Sequence, residues 1–431
     1  VSPHAPGRAY VAVQRYRMDD FRPYVFATQD HGRSWRLLTD GQNGIPANHP
    51  VRTVREDPAR AGLLYAGTEF GMYVSFDDGR HWQSLQLDLP VTPVTGMRVH
   101  DGDLVVATQG RSFWILDDLT PLHQLGPEVA RADAHLFRPR DVYRVNAAGS
   151  SEEFSPQPLP QGALIHYYLA AAPAAPVTLE ILDARGRLVR SFTSDSAKAE
   201  QADGKTIPAE AGMHRVVWDL TYPGPDVPDS VVIWGYTGGV KAPPGEYRAR
   251  LVADGREQAQ EFRVLADPRL TNVAQEDFEE QYRLGAEIRD TIDRVYGALR
   301  DIRSVEDQVR SIAARLEGTD FDPALRTAAD SLVAKLAAVE VEITQTRSRS
   351  GQDPIRFPAR LDNQYLELYR YVTGPDAYIS GGPERRPTRA AYTRLTDLNT
   401  QWTGLGERIR RILDAEVAAF NAALERAGVP G

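Results

Sequence analysis

At 431 residues, with 42% hydrophobic and 25% charged content, the chain has the size and make-up of two or three globular domains. A net charge of −9 without a basic stripe excludes a nucleic-acid partner, and the absence of cysteine excludes disulfides, thiolate metal sites and cysteine nucleophiles. No apolar run reaches the ~18 residues of a membrane span, and no signal peptide opens the chain. The chain starts at Val1 rather than Met, so the natural N-terminus is expected upstream.

The front of the chain is organised around a repeated motif. Thr28-Gln29-Asp30-His31-Gly32-Arg33-Ser34-Trp35 recurs as Ser75-Phe76-Asp77-Asp78-Gly79-Arg80-His81-Trp82, with the tryptophans 47 residues apart. A period of roughly 40–50 residues marks a propeller or solenoid. The Asp accepts backbone N–H groups and closes a turn, and the Gly supplies positive φ. The Trp packs between sheets and finds a partner for its indole N–H.

Around the second copy, four strands are expected at 51–56, 63–67, 72–76 and 82–87. The stretch 57–65 has its counterpart at 2–10, so the inner strand of the first unit is expected before residue 1. A third unit reads as strands at 96–100, 103–107 and 113–117. It keeps Asp117 and Asp118 but not Gly-x-x-Trp. About three such units cannot close a ring, so missing N-terminal blades or a partner chain are expected at the open edge.

Residues 126–160 read as an irregular linker. From 161 to 267 short alternating strands (163–169, 177–182, 188–192, 212–219, 245–251) suggest an immunoglobulin-like β-sandwich with Trp218 in its core. Pro243-Pro244-Gly245 reads as a turn into an edge strand. Residues 268–431 read as a helical bundle. Apolar stripes at spacings of three and four run through Phe278–Ile302, Leu325–Ile343 and Leu395–Leu424. Asn272 with Gln275 suggests a cap, and Asp322-Pro323 another start. The segment 347–387, rich in Pro and Gly, reads as an excursion between helices that packs through Tyr365, Tyr369, Tyr371 and Tyr378.

The paired motif resembles the Asp-box, or bacterial neuraminidase repeat, of sialidases, two-propeller xyloglucanases and sortilin-type receptors. The whole order resembles bacterial proteins labelled Asp-box or sortilin-like glycosyl hydrolases. Gly110-Arg111-Ser112-Phe113-Trp114-Ile115-Leu116-Asp117-Asp118 looks like the last blade of that family, and Val217-Trp218-Asp219 like the end of its sandwich stretch. The resemblance implies a multidomain β + α chain. It consists of the C-terminal blades of an Asp-box β-propeller (1–125), then an immunoglobulin-like sandwich, then an antiparallel helical bundle. It also implies a secreted or periplasmic location and a structural role for Asp30, Gly32, Trp35, Asp77, Gly79 and Trp82. It transfers no catalytic residue.

In such a propeller, the loops between strands two and three and those between blades share one face. That face gathers Asp20, His49, Glu69 and Arg111. Glu69 and Asp20 are the candidate catalytic carboxylates, since a glycosidase needs two about 5–9.5 Å apart. His49 and Arg111 are the candidate ligand contacts. The bland readings are turn residues for Asp20 and Arg111, an exposed loop residue for His49, and a Glu69–Arg111 ion pair. Phe137-Arg138-Pro139-Arg140 superficially resembles a sialidase arginine motif but follows the last blade. No cofactor or metal is expected. Two functions remain open: a binding or scaffold module for a glycan or protein ligand, and a glycoside hydrolase with carboxylates partly on missing blades.

Overall fold

The computed structural model describes residues 1–145, 160–202, 206–316, 323–374 and 384–429. The architecture is mixed: several sheets, then a helical region. Sheet 1 is β1 (Ala9–Arg15), β2 (Asp20–Thr28) and β3 (Arg36–Leu37). Sheet 2 is β4 (Val51–Glu56), β5 (Leu64–Thr68), β6 (Gly71–Ser75) and β7 (Gln83–Ser84). Sheet 3 is β8 (Val94–His100), β9 (Asp103–Thr108) and β10 (Phe113–Leu116). Each is an antiparallel meander in sequence order.

Strand alternation divides sheet 2 between two cores. Val51, Val54, Leu64 and Ala66 meet Val25, Ala27 and Leu38 of sheet 1. Tyr65, Met72 and Val74 meet Val94, Met97, Leu104 and Val106 of sheet 3. Burial on both faces is why β5 is buried at every position.

The two motif turns carry one hydrogen-bond pattern. Asp30 accepts Ser34 N at 2.9 Å and Ser34 Oγ at 2.6 Å. Asp77 accepts His81 N at 2.9 Å and lies 2.6 Å from His81 Nδ1. The Thr28 and Ser75 hydroxyls each accept the glycine N–H, of Gly32 and Gly79, at 2.9 Å. Gly32 and Gly79 sit at φ +86° and +80°, in the region glycine favours. The tryptophans part company. Trp82 is buried in the core between sheets 1 and 2. Trp35 is 46% exposed, contrary to the packing expected of it, because no described sheet stands on the far side of sheet 1. Its indole donates to Gly32 O at 3.1 Å, whereas that of Trp82 has no acceptor among the described residues. The outer strand expected at 82–87 shrinks to β7. The Gln86 side chain turns inward instead, accepting Met72 N at 3.3 Å and donating to Leu89 O and Pro90 O.

Helix α1 (Thr120–Gln124) and α2 (Pro127–Arg131) lead into two further sheets. One is β11 (Ala134–Leu136), β13 (Ala163–Leu169) and β16 (Gly212–Trp218). The other, in the order β12-β18-β17-β14-β15, is β12 (Val142–Arg144), β14 (Thr178–Asp183), β15 (Leu188–Thr193), β17 (Gly245–Ala253) and β18 (Arg256–Ala266). Helix α3 (Ser196–Ala202) follows β15. The two sheets face each other across one core, where the fully buried Trp218 meets Tyr247 and Phe262 and donates to Thr221 O at 2.9 Å.

Three expectations change in this region. The linker 126–160 contributes α2, β11 and β12, and its residues 146–159 lie outside the described ones. Three-residue strands have no alternation of their own to read; pairing with β13 and β18 creates them. β17 is central, not an edge; Pro243 and Pro244 precede it and remove no ladder bond. β18 was not anticipated, although Phe262 and Val264 alternate into the core.

The helical region is α4 (Gln275–Leu316), α5 (Pro323–Ile343), α6 (Leu361–Thr373), α7 (Arg389–Arg411), a π-turn at Ile412–Glu416 and α8 (Val417–Arg426), around one apolar core. α4 starts at Gln275 itself rather than after a cap at Asn272. Asp277 reaches back to Ala274 N at 2.9 Å, which satisfies one orphan N–H. Pro323 opens α5 as expected; Asp322 lies outside the described residues. The excursion at 347–387 contains α6, whose Tyr365 and Tyr369 are fully buried, while Tyr371 is half-exposed. Tyr378 lies outside the described residues.

Polar contacts tie these parts together. Between sheet 3 and β13, Asp118 Oδ2 lies 3.5 Å from His166 Nδ1. Between the paired sheets and the helices, Arg144 of β12 is 2% exposed. It lies 2.8 Å from Glu384 Oε2, donates to Gln281 Oε1 at 2.6 Å and to Ala242 O at 3.0 Å, and sits over the Phe278 ring. Lys241 reaches the other oxygen of Glu384 at 2.9 Å.

Candidate functional site

The hairpin tips of sheets 1, 2 and 3 carry the expected residues. In sheet 2, Thr68 turns the chain: its hydroxyl donates to Gly71 O at 3.0 Å and accepts Phe70 N at 3.1 Å. Gly71, at φ +135°, leaves room for the Gln86 side chain that a Cβ would strike. Glu69 N donates to Pro50 O at 3.1 Å, which brings the tip beside the start of β4. Sheet 3 repeats the arrangement: Gln109 N donates to Pro93 O at 2.9 Å, and Thr108 Oγ1 donates to Ser112 O at 2.7 Å.

This geometry forms two adjoining groups. Arg52, at the head of β4, holds Glu69 through Nη2 at 2.6 Å and Nε at 2.7 Å; Gln14 of sheet 1 reaches the same oxygen at 3.4 Å. His49 shares a 2.9 Å hydrogen bond with the Tyr73 hydroxyl, and its ring lies 4.6 Å from that of Phe70, which is 43% exposed. Burial lowers the His49 pKa, which favours the neutral ring.

Asp20 is the first residue of β2, opposite Arg15, rather than a turn residue. Arg22 grips it through Nε and Nη2, both at 2.9 Å; Tyr24 OH donates at 2.8 Å and Arg15 Nη1 lies 3.2 Å away. Hydrogen bonds from Arg22 first and Tyr24 second hold its carboxyl well below the usual range. Arg111 stands apart on an exposed tip, with its backbone N–H on Thr108 Oγ1 and its guanidinium on Gly110 O. The Glu69–Arg111 pair is therefore not formed; Arg52, on the same sheet as Glu69, takes the carboxylate.

Glycoside hydrolysis requires a carboxylic acid that holds its proton near neutral pH. Asp20 is driven the other way. The described carboxyls that burial pushes up are Asp117, Asp293 and Asp362, none of them at these tips. Among the described residues no group of three or more His, Cys, Asp or Glu is placed to hold a metal ion, and no helix is long and apolar enough to cross a membrane. Sequence reasoning missed Gln14, Arg52, Phe70 and Tyr73. Arg52 had a signal: it alternates with Val51 and Thr53 and so points away from their core.

No protein-family profile and no curated protein matches the chain. Among solved structures it is similar to an ancestral GH74 enzyme (15% identity, TM-score 0.20, 44% of this chain and 26% of that one). It is also similar to a GH74 enzyme of Niastella koreensis (11%, 0.23, 61% and 37%). A third is the extracellular domain of a hybrid two-component system of B. thetaiotaomicron (8%, 0.19, 56% and 28%). The chain spans 26–37% of the length of these structures. Likeness at these scores carries no argument about activity.

Proposed function

We propose that the chain belongs to a secreted or periplasmic binding module, with sheets 1–3 as consecutive blades of an Asp-box β-propeller and a ligand face at their tips. The shared turn chemistry at Asp30 and Asp77 and the burial of sheet 2 on both faces support the blade reading. The facing sheets around Trp218 support an immunoglobulin-like sandwich, and the common helical core an antiparallel bundle.

One observation carries binding over catalysis. The candidate carboxylates Asp20 and Glu69 are each held by an arginine, and next to Glu69 the exposed Phe70 ring lies tilted against that of His49. Fixed charges with an aromatic platform suit a face that holds a sugar ring without cleaving it. A glycan is the ligand this arrangement favours, because the exposed Phe70 ring stands beside the fixed Arg52–Glu69 pair and the Tyr73 hydroxyl. The test is a glycan array followed by titration with the wild type and Phe70→Ala. Loss of about tenfold or more in affinity, with no glycan hydrolysed, supports the reading. Unchanged affinity in the variant, or turnover by the wild type, overturns it.

A further inference from the structure

Strand β10 closes sheet 3 on an open edge. Among the described residues it pairs with β9 alone, in unbroken register from Phe113 opposite Ala107 to Leu116 opposite Leu104. Ser112 O accepts Thr108 N at 3.2 Å. Ladder alternation therefore turns the N–H and C=O groups of Trp114 and Leu116 to β9, and those of Phe113 and Ile115 outward. The side chains along this edge are apolar and in water. Phe113 is 74% and Ile115 58% exposed, on one face, and Trp114 is exposed on the other. Sheet edges are usually blunted by charge, proline or a bulge. β10, Phe-Trp-Ile-Leu, carries none of these.

The charges stand just beyond its two ends, with opposite sign. Arg111 precedes the strand on the exposed hairpin tip, where its guanidinium meets Gly110 O at 3.4 Å. Asp117 follows it. Burial first and Asp103 second push the Asp117 carboxyl up, outweighing Arg215 and Arg140, so one more cation beside it is favourable.

Such a strand is complementary to itself. Two copies set antiparallel, with Trp114 opposite Trp114, place the outward groups of Phe113 against those of Ile115. Each such pair exchanges two hydrogen bonds, and its side chains pack as a cross-strand pair. Arg111 of each copy then comes beside Asp117 of the other. A register shifted by two residues keeps the hydrogen bonds, but it sets Arg111 opposite Ile115 or Asp117 opposite Phe113.

We infer that β10 is a self-association edge, on which a second copy of this chain docks through a two-fold axis at Trp114. Sheet 3 of each copy then continues into the other, and the interface closes on itself. The occupant is a second copy because one strand supplies both halves of the match, apolar and charged. Four residues a side make a small contact, so the association is weak and reversible. The inference does not depend on the glycan reading.

Sedimentation equilibrium over a concentration series is expected to show a reversible monomer–dimer equilibrium. Arg111→Asp and Asp117→Arg each set like charges face to face, and each is expected to weaken the dimer by about tenfold or more. An equimolar mixture of the two variants restores it, because each mixed pair again has opposite charges at both ends. Ile115→Pro removes an outward N–H and spares the bonds to β9, so it is expected to abolish the dimer with circular dichroism unchanged. Hydrogen exchange of the Phe113 and Ile115 amides is expected to slow as concentration rises. No self-association of the wild type up to about 1 mM, or a dimer that all three variants leave intact, overturns the inference. A mixture no stronger than the single variants overturns the register. Protection of the two amides that is the same at every concentration means that the chain covers its own edge, and overturns the second copy as occupant.

Discussion

Asp362, the second residue of α6, is 1% exposed inside the helical core. Burial, the largest influence, pushes its pKa up to about 6 from 3.8, against the opposing hydrogen bonds of Thr344, Asn363 and Tyr296. The folded state therefore holds a proton that the unfolded chain releases about two pH decades lower. The sign follows from that: stability is highest below pH 4 as far as this group is concerned, falls as pH rises from about 4 through 6, and stays reduced above. At about 1.4 kcal/mol per decade the carboxylate costs the fold up to about 3 kcal/mol at pH 8. Asp362→Asn keeps the shape and can still accept the Asn363 N–H, but carries no charge. Urea unfolding followed by helical circular dichroism should show the variant about 2–3 kcal/mol more stable than wild type at pH 8, and equal to it near pH 4. A variant that is destabilised by the same amount at both pH values would refute the reasoning, because it would mean that folding does not move the Asp362 pKa.

Trp218→Ala should cost about 3–5 kcal/mol in thermal or urea unfolding, since it empties the centre of the core between the facing sheets and removes the bond to Thr221 O. Glu384→Gln leaves the buried Arg144 and its neighbour Lys241 without their shared carboxylate. It should cost about 3 kcal/mol or more by the same measurement. Asp77→Ala should lose about 1–2 kcal/mol, read as a fall in Tm, because it frees the His81 N–H and the Ser75 hydroxyl at the turn leading to buried Trp82.

Legibility in the sequence followed the range of the interactions. The motif turns were readable because the side-chain bonds that shape them, between Thr28 and Ser34 and between Ser75 and His81, each reach no further than four residues along the chain. The long stripes of α4, α5 and α7 were readable because each repeats a helical period over several turns. α6 was hidden because its thirteen residues sit among prolines and glycines, and its tyrosines are buried by neighbouring helices rather than marked by a pattern. β11 and β12 exist only through distant partners, Leu169 and Val264 among them. At the tips, the right stretches were chosen but not the right pairs. Glu69 meets Arg52 because β4 and β5 are neighbours in one sheet, whereas Arg111 belongs to the next.

The buried contact of Arg144 with Glu384 bears on how this protein can be cut. Arg144 sits on a three-residue strand that precedes most of the facing sheets in sequence, and Glu384 lies between α6 and α7. A truncation after β18 would strand a nearly dry guanidinium together with Lys241; one before α4 would strand Glu384. Each half would carry an unmatched interior charge that water must enter to solvate. The two regions are thus separable on paper by the short stretch 267–274, yet neither is expected to dissolve as a well-behaved piece without the other.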